Sequence, residues 1–252
     1  KTEMALAYLK KNYNKDITEK DLKNIDDLDL YGYNLPRPFP PGLFKICINL
    51  KKLYLGGTKL KFLPKSLFEG CVNLKELSLD ENRIEALDPD TFKHCINLVK
   101  IDLDSNELKT LHPDLFKYCT KLKEIDLHCN ELKTLHSDLF KYCSKLEEID
   151  LGQNPFETIP CNIFKHNNKT LKKLYIYELN IIPPAGLLKG CVKLEYITFH
   201  NSTFETFPDY FFEDCVNLVE ICLDGTHLEK FPPNLFKNCL KLEAIDMDEV
   251  PF

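Results

Sequence analysis

Eight of the eleven cysteines stand at 47, 71, 95, 119, 143, 191, 215 and 239, so every gap is 24 residues or, once, twice 24. Spacing that regular defines an array of repeats, each stacking on its neighbours, and makes chain length a poor guide to domain count. The units Leu98 to Lys121 (LVKIDLDSNELKTLHPDLFKYCTK) and Leu122 to Lys145 (LKEIDLHCNELKTLHSDLFKYCSK) are near copies. The one gap in the ruler is at 167, where Asn167 replaces cysteine. There the unit Leu146 to Thr170 has 25 residues and the unit Leu171 to Lys193 has 23, so the slip cancels and the phase returns at Leu194.

Apolar residues at positions 1, 4 and 6 of each unit place a short strand with one buried face near its start. Stacked units then build one long parallel sheet, and a residue type repeated at every unit becomes a column along the body, with strands about 4.8 Å apart. One column is Phe44, Phe68, Phe92, Phe116, Phe140, Phe164, Leu188, Phe212 and Phe236, an apolar spine opposite the strands. Another is Asn82, Asn106, Asn130 and Asn154, whose amides suit the backbone groups of the turn leaving the sheet. Thr58, Ser202 and Thr226 can do part of that work and Leu179 cannot.

Written out, the unit is L-x-x-L-x-L-x-x-N-x-L-x-x-L-x-x-x-x-F-x-x-C, which resembles the leucine-rich repeat family over roughly residues 25 to 252, with an F-x-x-C close similar to BspA-like and typical-type repeats. The resemblance implies an α/β fold: a curved solenoid with a parallel concave sheet, loops and short helical turns outside, and a non-catalytic recognition role. About nine full units and a truncated last one fill residues 25 to 252. Residues 1 to 24 read as a helical N-terminal cap, with an amphipathic helix over 3 to 13 and a second short one opening at Thr18. The last unit stops at Phe252 about halfway through a repeat without a capping pattern, as expected of a piece of a longer protein or of an end that pairs with something.

The net charge of −6 gives no footing for binding nucleic acid through counterion release. No apolar run reaches the 18 or so residues of a membrane span. The cysteines are odd in number and mostly one per repeat, so they read as buried apolar plugs rather than a disulfide framework, with Cys129, Cys161 and Cys222 left as candidates for occasional bridges. That use of thiols leans toward the cytoplasm; a secreted or cell-surface location is the alternative.

Positions 5 and 7 of each unit line the middle of the concave face. They give an acidic strip of Asp80, Asp102, Asp104, Asp126 and Asp150 with His128 in its midst, then an aromatic patch of Tyr175, Tyr177, Tyr196 and His200. Tyr31 and Tyr54 extend the aromatic contact, while Gly56 and Gly57 leave that stretch flat. Stacked like charges weaken a sheet slightly, so folding is expected to gain nothing from the Asp102, Asp126 and Asp150 column. Reversing it to lysine should then abolish partner binding with melting unchanged or raised. The expected partner is a protein with basic and apolar groups, taken by a monomer. Outside the curve, Lys45, Lys93, Lys117, Lys141, Lys165, Lys189 and Lys237 form a solubilising column.

No phosphate-cradling glycine loop and no H-E-x-x-H occurs. His128, its aspartates and Cys129 make a poor catalytic cluster on an open surface that does not exclude water, and a hard cation between neighbouring aspartates is the more plausible use of those groups. The expectation is a protein without enzyme activity, cofactor or dedicated metal. The contending reading of the same repeats is a structural or adhesive surface protein.

Overall fold

The computed structural model describes residues 2–250 and is a single solenoid. Helices α1 (Thr2–Asn12) and α2 (Glu19–Asn24) come first, followed by ten three-residue strands: β1 (Asp27–Asp29), β2 (Lys52–Tyr54), β3 (Glu76–Ser78), β4 (Lys100–Asp102), β5 (Glu124–Asp126), β6 (Glu148–Asp150), β7 (Lys173–Tyr175), β8 (Tyr196–Thr198), β9 (Glu220–Cys222) and β10 (Ala244–Asp246). All pair in parallel in chain order, in one sheet. The register restates the cysteine ruler: Asp102 pairs with Asp126 and Asp126 with Asp150, while Asp150 meets Tyr175 after 25 residues and Tyr175 meets Thr198 after 23.

The strands end where each chain must leave the sheet. Position 8 takes a left-handed conformation along the array, at Gly32, Gly57, Glu81, Ser105, Cys129, Gln153, Glu178, Asn201, Gly225 and Glu249. Glycine enters this region freely and other residues at a cost, so something must hold the turn. The buried asparagines do so. Asn106 donates from Nδ2 to the carbonyls of Leu79, Leu103 and Asp104 at 3.0–3.1 Å, and its Oδ1 accepts the N–H of Ile84 at 3.0 Å. Asn130 and Asn154 repeat the pattern one unit on. Thr226 keeps only the bond back to its own turn, at Leu223, Thr58 bonds both Leu55 O and Asn82 Oδ1 of the next unit, and Leu179 is served from outside when Ser202 Oγ accepts its N–H.

Across the core, Phe68, Phe92, Phe116, Phe140 and Phe164 stack with centroids 6.0–6.4 Å apart. Each buried ring contributes about 1.5–3 kcal/mol from burial alone. Leu188 interrupts the column, and in the next unit Phe199, Phe204, Phe207, Phe211 and Phe212 pack edge to face with one another. The return side is made of turns such as Leu115 N–H to His112 O and Cys119 N–H to Phe116 O, and no further helix forms there among the described residues.

The column thiols are buried, and all eleven cysteines are free. Burial pushes the Cys119 thiol up to about 12, and it lies 3.9 Å from the Phe92 carbonyl of the preceding unit. Asn167 takes the same place by stronger means, donating to Phe140 O at 3.2 Å and Cys143 O at 2.7 Å. An amide that satisfies two buried carbonyls explains why the unit tolerates the missing cysteine.

At the first strand, Ala5 and Leu9 of α1 and Leu22 of α2 join the same apolar core. Tyr8 donates to Pro36 O at 2.7 Å and packs edge-on against Phe39. A capping box between Thr18 and Asp21 starts α2 where the sequence places it. No helix among the described residues is long and apolar enough to cross a membrane.

Candidate functional site

The concave face follows from strand geometry: in β1 to β9 the central residue is buried and, save for the buried Thr198, its neighbours face out, at positions 3 and 5, with position 7 just beyond, while β10 at the end of the array is exposed throughout. Position 7 gathers the candidates into one row. Asp104, His128, Gly152, Tyr177 and His200 follow one another in consecutive units, and the Tyr177 ring closes over the glycine. The Tyr177 ring stacks on His200 with centroids 4.4 Å apart and planes 11° from parallel, and lies 6.3 Å from the His128 ring. Only glycine permits this: a β-carbon at 152 would stand 2.3 Å from Tyr177 Cε1. Tyr175 and Tyr196 pack at 5.3 Å alongside. These tyrosines are half-buried by one another, not fully exposed as the spacing suggests.

His128 is caged by carboxylates. Its Nδ1 lies 2.8 Å from Asp126 Oδ1 and 4.0 Å from Asp150 Oδ2, and its Nε2 lies 3.1 Å from Asp104 Oδ2. The bond to Asp126, ahead of the surrounding negative charge, raises the imidazole to about 9, so it is a cation at neutral pH. With both ring nitrogens engaged by acids, it is not a free base for catalysis. Asp102 and Asp150 are pushed up to about 7, by burial first and then by their acidic neighbours. Burial likewise raises Asp104, against the pull of His128. The Tyr175 hydroxyl is raised to about 12 and that of Tyr177 is raised as well, chiefly by burial.

Two groups of side chains are spaced to share a metal ion. Asp126, His128 and Asp150 each bring one ligand atom within 4.8 Å of the others, as do Cys222, Asp224 and Asp246. In the first group a metal would have to displace the proton that His128 holds among its carboxylates.

The BspA type leucine-rich repeat region matches in six copies over residues 39–172 and 167–250. The chain belongs to this BspA-type leucine-rich repeat family. No curated protein matches it. Among solved structures, Toll from Drosophila in complex with Spatzle is similar at 24% identity and a TM-score of 0.74, over 90% of this chain and 34% of that one. TLR13 in complex with ssRNA13 gives 24%, 0.75, 92% and 38%. The leucine-rich repeat domain of APL1B gives 19%, 0.58, 77% and 61%. The BspA-type chain thus spans about a third of the Toll and TLR13 chains, and at these identities the likeness is one of fold.

Within this BspA-type array the aspartate column is not idle in folding, contrary to what stacked like charges alone suggest. Asp102, Asp126 and Asp150 each accept the backbone N–H two residues on, at Asp104, His128 and Gly152, from 2.9–3.0 Å. They satisfy the donor that the three-residue strand leaves open, and Asp29 does the same for Tyr31. Lysine cannot accept that bond, so charge reversal would cost stability rather than leave it unchanged.

The concave face is also not uniformly acidic. Position 3, outside the columns that the sequence makes prominent, carries ion pairs across strands: Lys52 to Glu76 at 3.1 Å, Lys100 to Glu124 at 2.9 Å and Lys173 to Glu148 at 3.2 Å. Such exposed pairs contribute little each. Alternation of sign between neighbouring units is the sequence signal that marks them. The stretch at Gly56 is not flat either: a β-carbon there would meet Asp80 Oδ1 at 2.3 Å and Tyr31 Cδ2 at 2.7 Å.

Proposed function

We propose that this protein is a non-catalytic recognition module that takes a protein partner on its concave face, through Asp80, Asp102, Asp104, Asp126, His128, Asp150, Tyr175, Tyr177, Tyr196 and His200. The observation that carries this reading is the continuous row in which the Tyr177 ring closes over Gly152, between His128 and His200, beside a bank of carboxylates. The row sits on a sheet pinned by buried asparagines, so its side chains are preorganised and little freedom is lost when a partner docks. Tyrosine offers apolar area and a hydroxyl with few rotors, and the carboxylates select basic groups.

That Toll is similar in fold and is found with the protein Spatzle supports a protein ligand. TLR13 is found with RNA, but here Asp104, Asp126 and Asp150 would repel a phosphate backbone, which favours the protein. The engagement of both His128 nitrogens by carboxylates, on an open face, supports a role without catalysis.

Affinity capture tests the proposal. Wild type should retain a partner that the Tyr175→Ala/Tyr177→Ala variant loses, with both proteins folded by circular dichroism. Equal recovery by the two would remove these tyrosines from the site.

A further inference from the structure

A cleft of about 240 Å³ opens on the concave face over β2 to β4, lined by Tyr31, Tyr54, Ser78, Asp80, Lys100 and Asp102 among others. Its aromatic walls are held at their tips. The Tyr54 hydroxyl donates to Glu76 Oε2 at 3.3 Å, and the Glu81 carboxylate by the Tyr31 hydroxyl raises that phenol above its ordinary value. Gly56 lets the Tyr31 ring and the Asp80 carboxylate come together where any side chain would part them.

Lys100, which lines the cleft, and Lys52, whose partner Glu76 lines it, are each paired with a glutamate. Lys52 reaches Glu76 and Lys100 reaches Glu124. Asp80 accepts from Ser78 Oγ, and Asp102 from a backbone N–H. Among the described residues neither aspartate stands in a salt bridge with lysine or arginine. Asp80 and Asp102 therefore face a cleft with phenol walls whose one lining lysine, Lys100, forms its ion pair with Glu124 rather than with either of them.

We infer that this cleft is a socket for an arginine side chain of a protein partner. The inference rests on the reading of the concave face as a docking surface and gives one contact its chemistry. A guanidinium is planar and weakly hydrated, so it lies against tyrosine faces at little desolvation cost while its N–H groups fork onto carboxylates. Lysine carries a compact, strongly hydrated charge that uses the rings less well. The aliphatic stem of arginine would lie along the Tyr31 and Tyr54 rings.

The test is a titration of the whole chain with N-acetyl-arginine methylamide, followed by amide NMR. Saturable shifts are expected at Tyr31, Tyr54, Gly56 and Asp102, with none from the neutral citrulline analogue. Tyr54→Ala should weaken binding about fivefold. Asp80→Asn, which keeps the side chain's shape, should weaken it too, so the test survives if the alanine variant fails to fold. An equal response to citrulline, equal affinity for the lysine analogue, shifts mapping elsewhere, or no binding would each overturn the socket. The probe reports only on the cleft, so its failure leaves the Tyr175 and Tyr177 surface untouched, and failure of that surface leaves the socket standing.

Discussion

Tyr177 occupies the space that a side chain at position 152 would fill, with its Cε1 only 2.3 Å from where a β-carbon of Gly152 would stand. A ring borrowed from the next unit thus joins His128 to His200 across a gap in the row. Gly152→Ala should lift Tyr177 from this slot and weaken partner binding about tenfold while the sheet stays intact, because the ring would no longer be preorganised for docking. Calorimetry with the captured partner measures it, and an unchanged affinity would mean that the stacked arrangement plays no part.

The buried asparagines make a prediction about stability alone. Asn106→Leu takes away the acceptor for the Ile84 N–H and leaves the carbonyls of Leu79, Leu103 and Asp104 without that amide. A cost of about 1–3 kcal/mol is expected in urea unfolding. A variant as stable as wild type would show that these bonds do not hold the left-handed turn at Ser105.

For the apolar spine, Phe116→Ala opens a hole between Phe92 and Phe140, both of which stack on it. The expected loss of stability is about 3–5 kcal/mol. Stability within error of wild type in the same unfolding assay would mean that the stacked rings do not hold the units together.

Stability should also fall as pH rises. Asp102 and Asp150 are raised from 3.8 to about 7, and His128 from 6.5 to about 9, so each holds its proton more tightly folded than unfolded. Their contribution is present at low pH and is lost through about 4 to 7 for the carboxylates and about 6.5 to 9 for the histidine. Asp88 and Asp138, which lie below their ordinary values, lose their contribution only in acid below that window. Melting temperature should therefore decline from about pH 5 to pH 9, and the decline should flatten in Asp102→Asn/Asp150→Asn, which keeps the acceptor for the backbone. Melting that rises over this range, or a variant with the wild-type slope, would refute the assignment.

Much of this was legible in the sequence because a repeat turns one-dimensional spacing into neighbours in space. The cysteine ruler carried the strand register through the long and short units around Asn167, and the periodic phenylalanines and asparagines marked the core and its turn. What stayed hidden depends on how side chains lean. Spacing places Gly152 and Tyr177 in one column but does not say that the ring folds back over the glycine. Nor does it say that the Asp126 carboxylate turns toward its own backbone and His128, which makes the acidic column a partner of folding as well as a charged surface. The left-handed residues at position 8 left only three glycines, Gly32, Gly57 and Gly225, as a trace.

If partner recognition belongs to the inside of the curve, changes on the two sides of the solenoid should have opposite consequences. The deciding measurement compares capture of the partner by a concave variant, Asp126→Asn/Tyr177→Ala, and a convex one, Lys117→Glu/Lys141→Glu, whose lysines lie over Tyr118 and Tyr142 on the outer side. The concave variant should lose the partner and the convex variant should keep it; retention by the first with loss by the second would place recognition on the outer side instead.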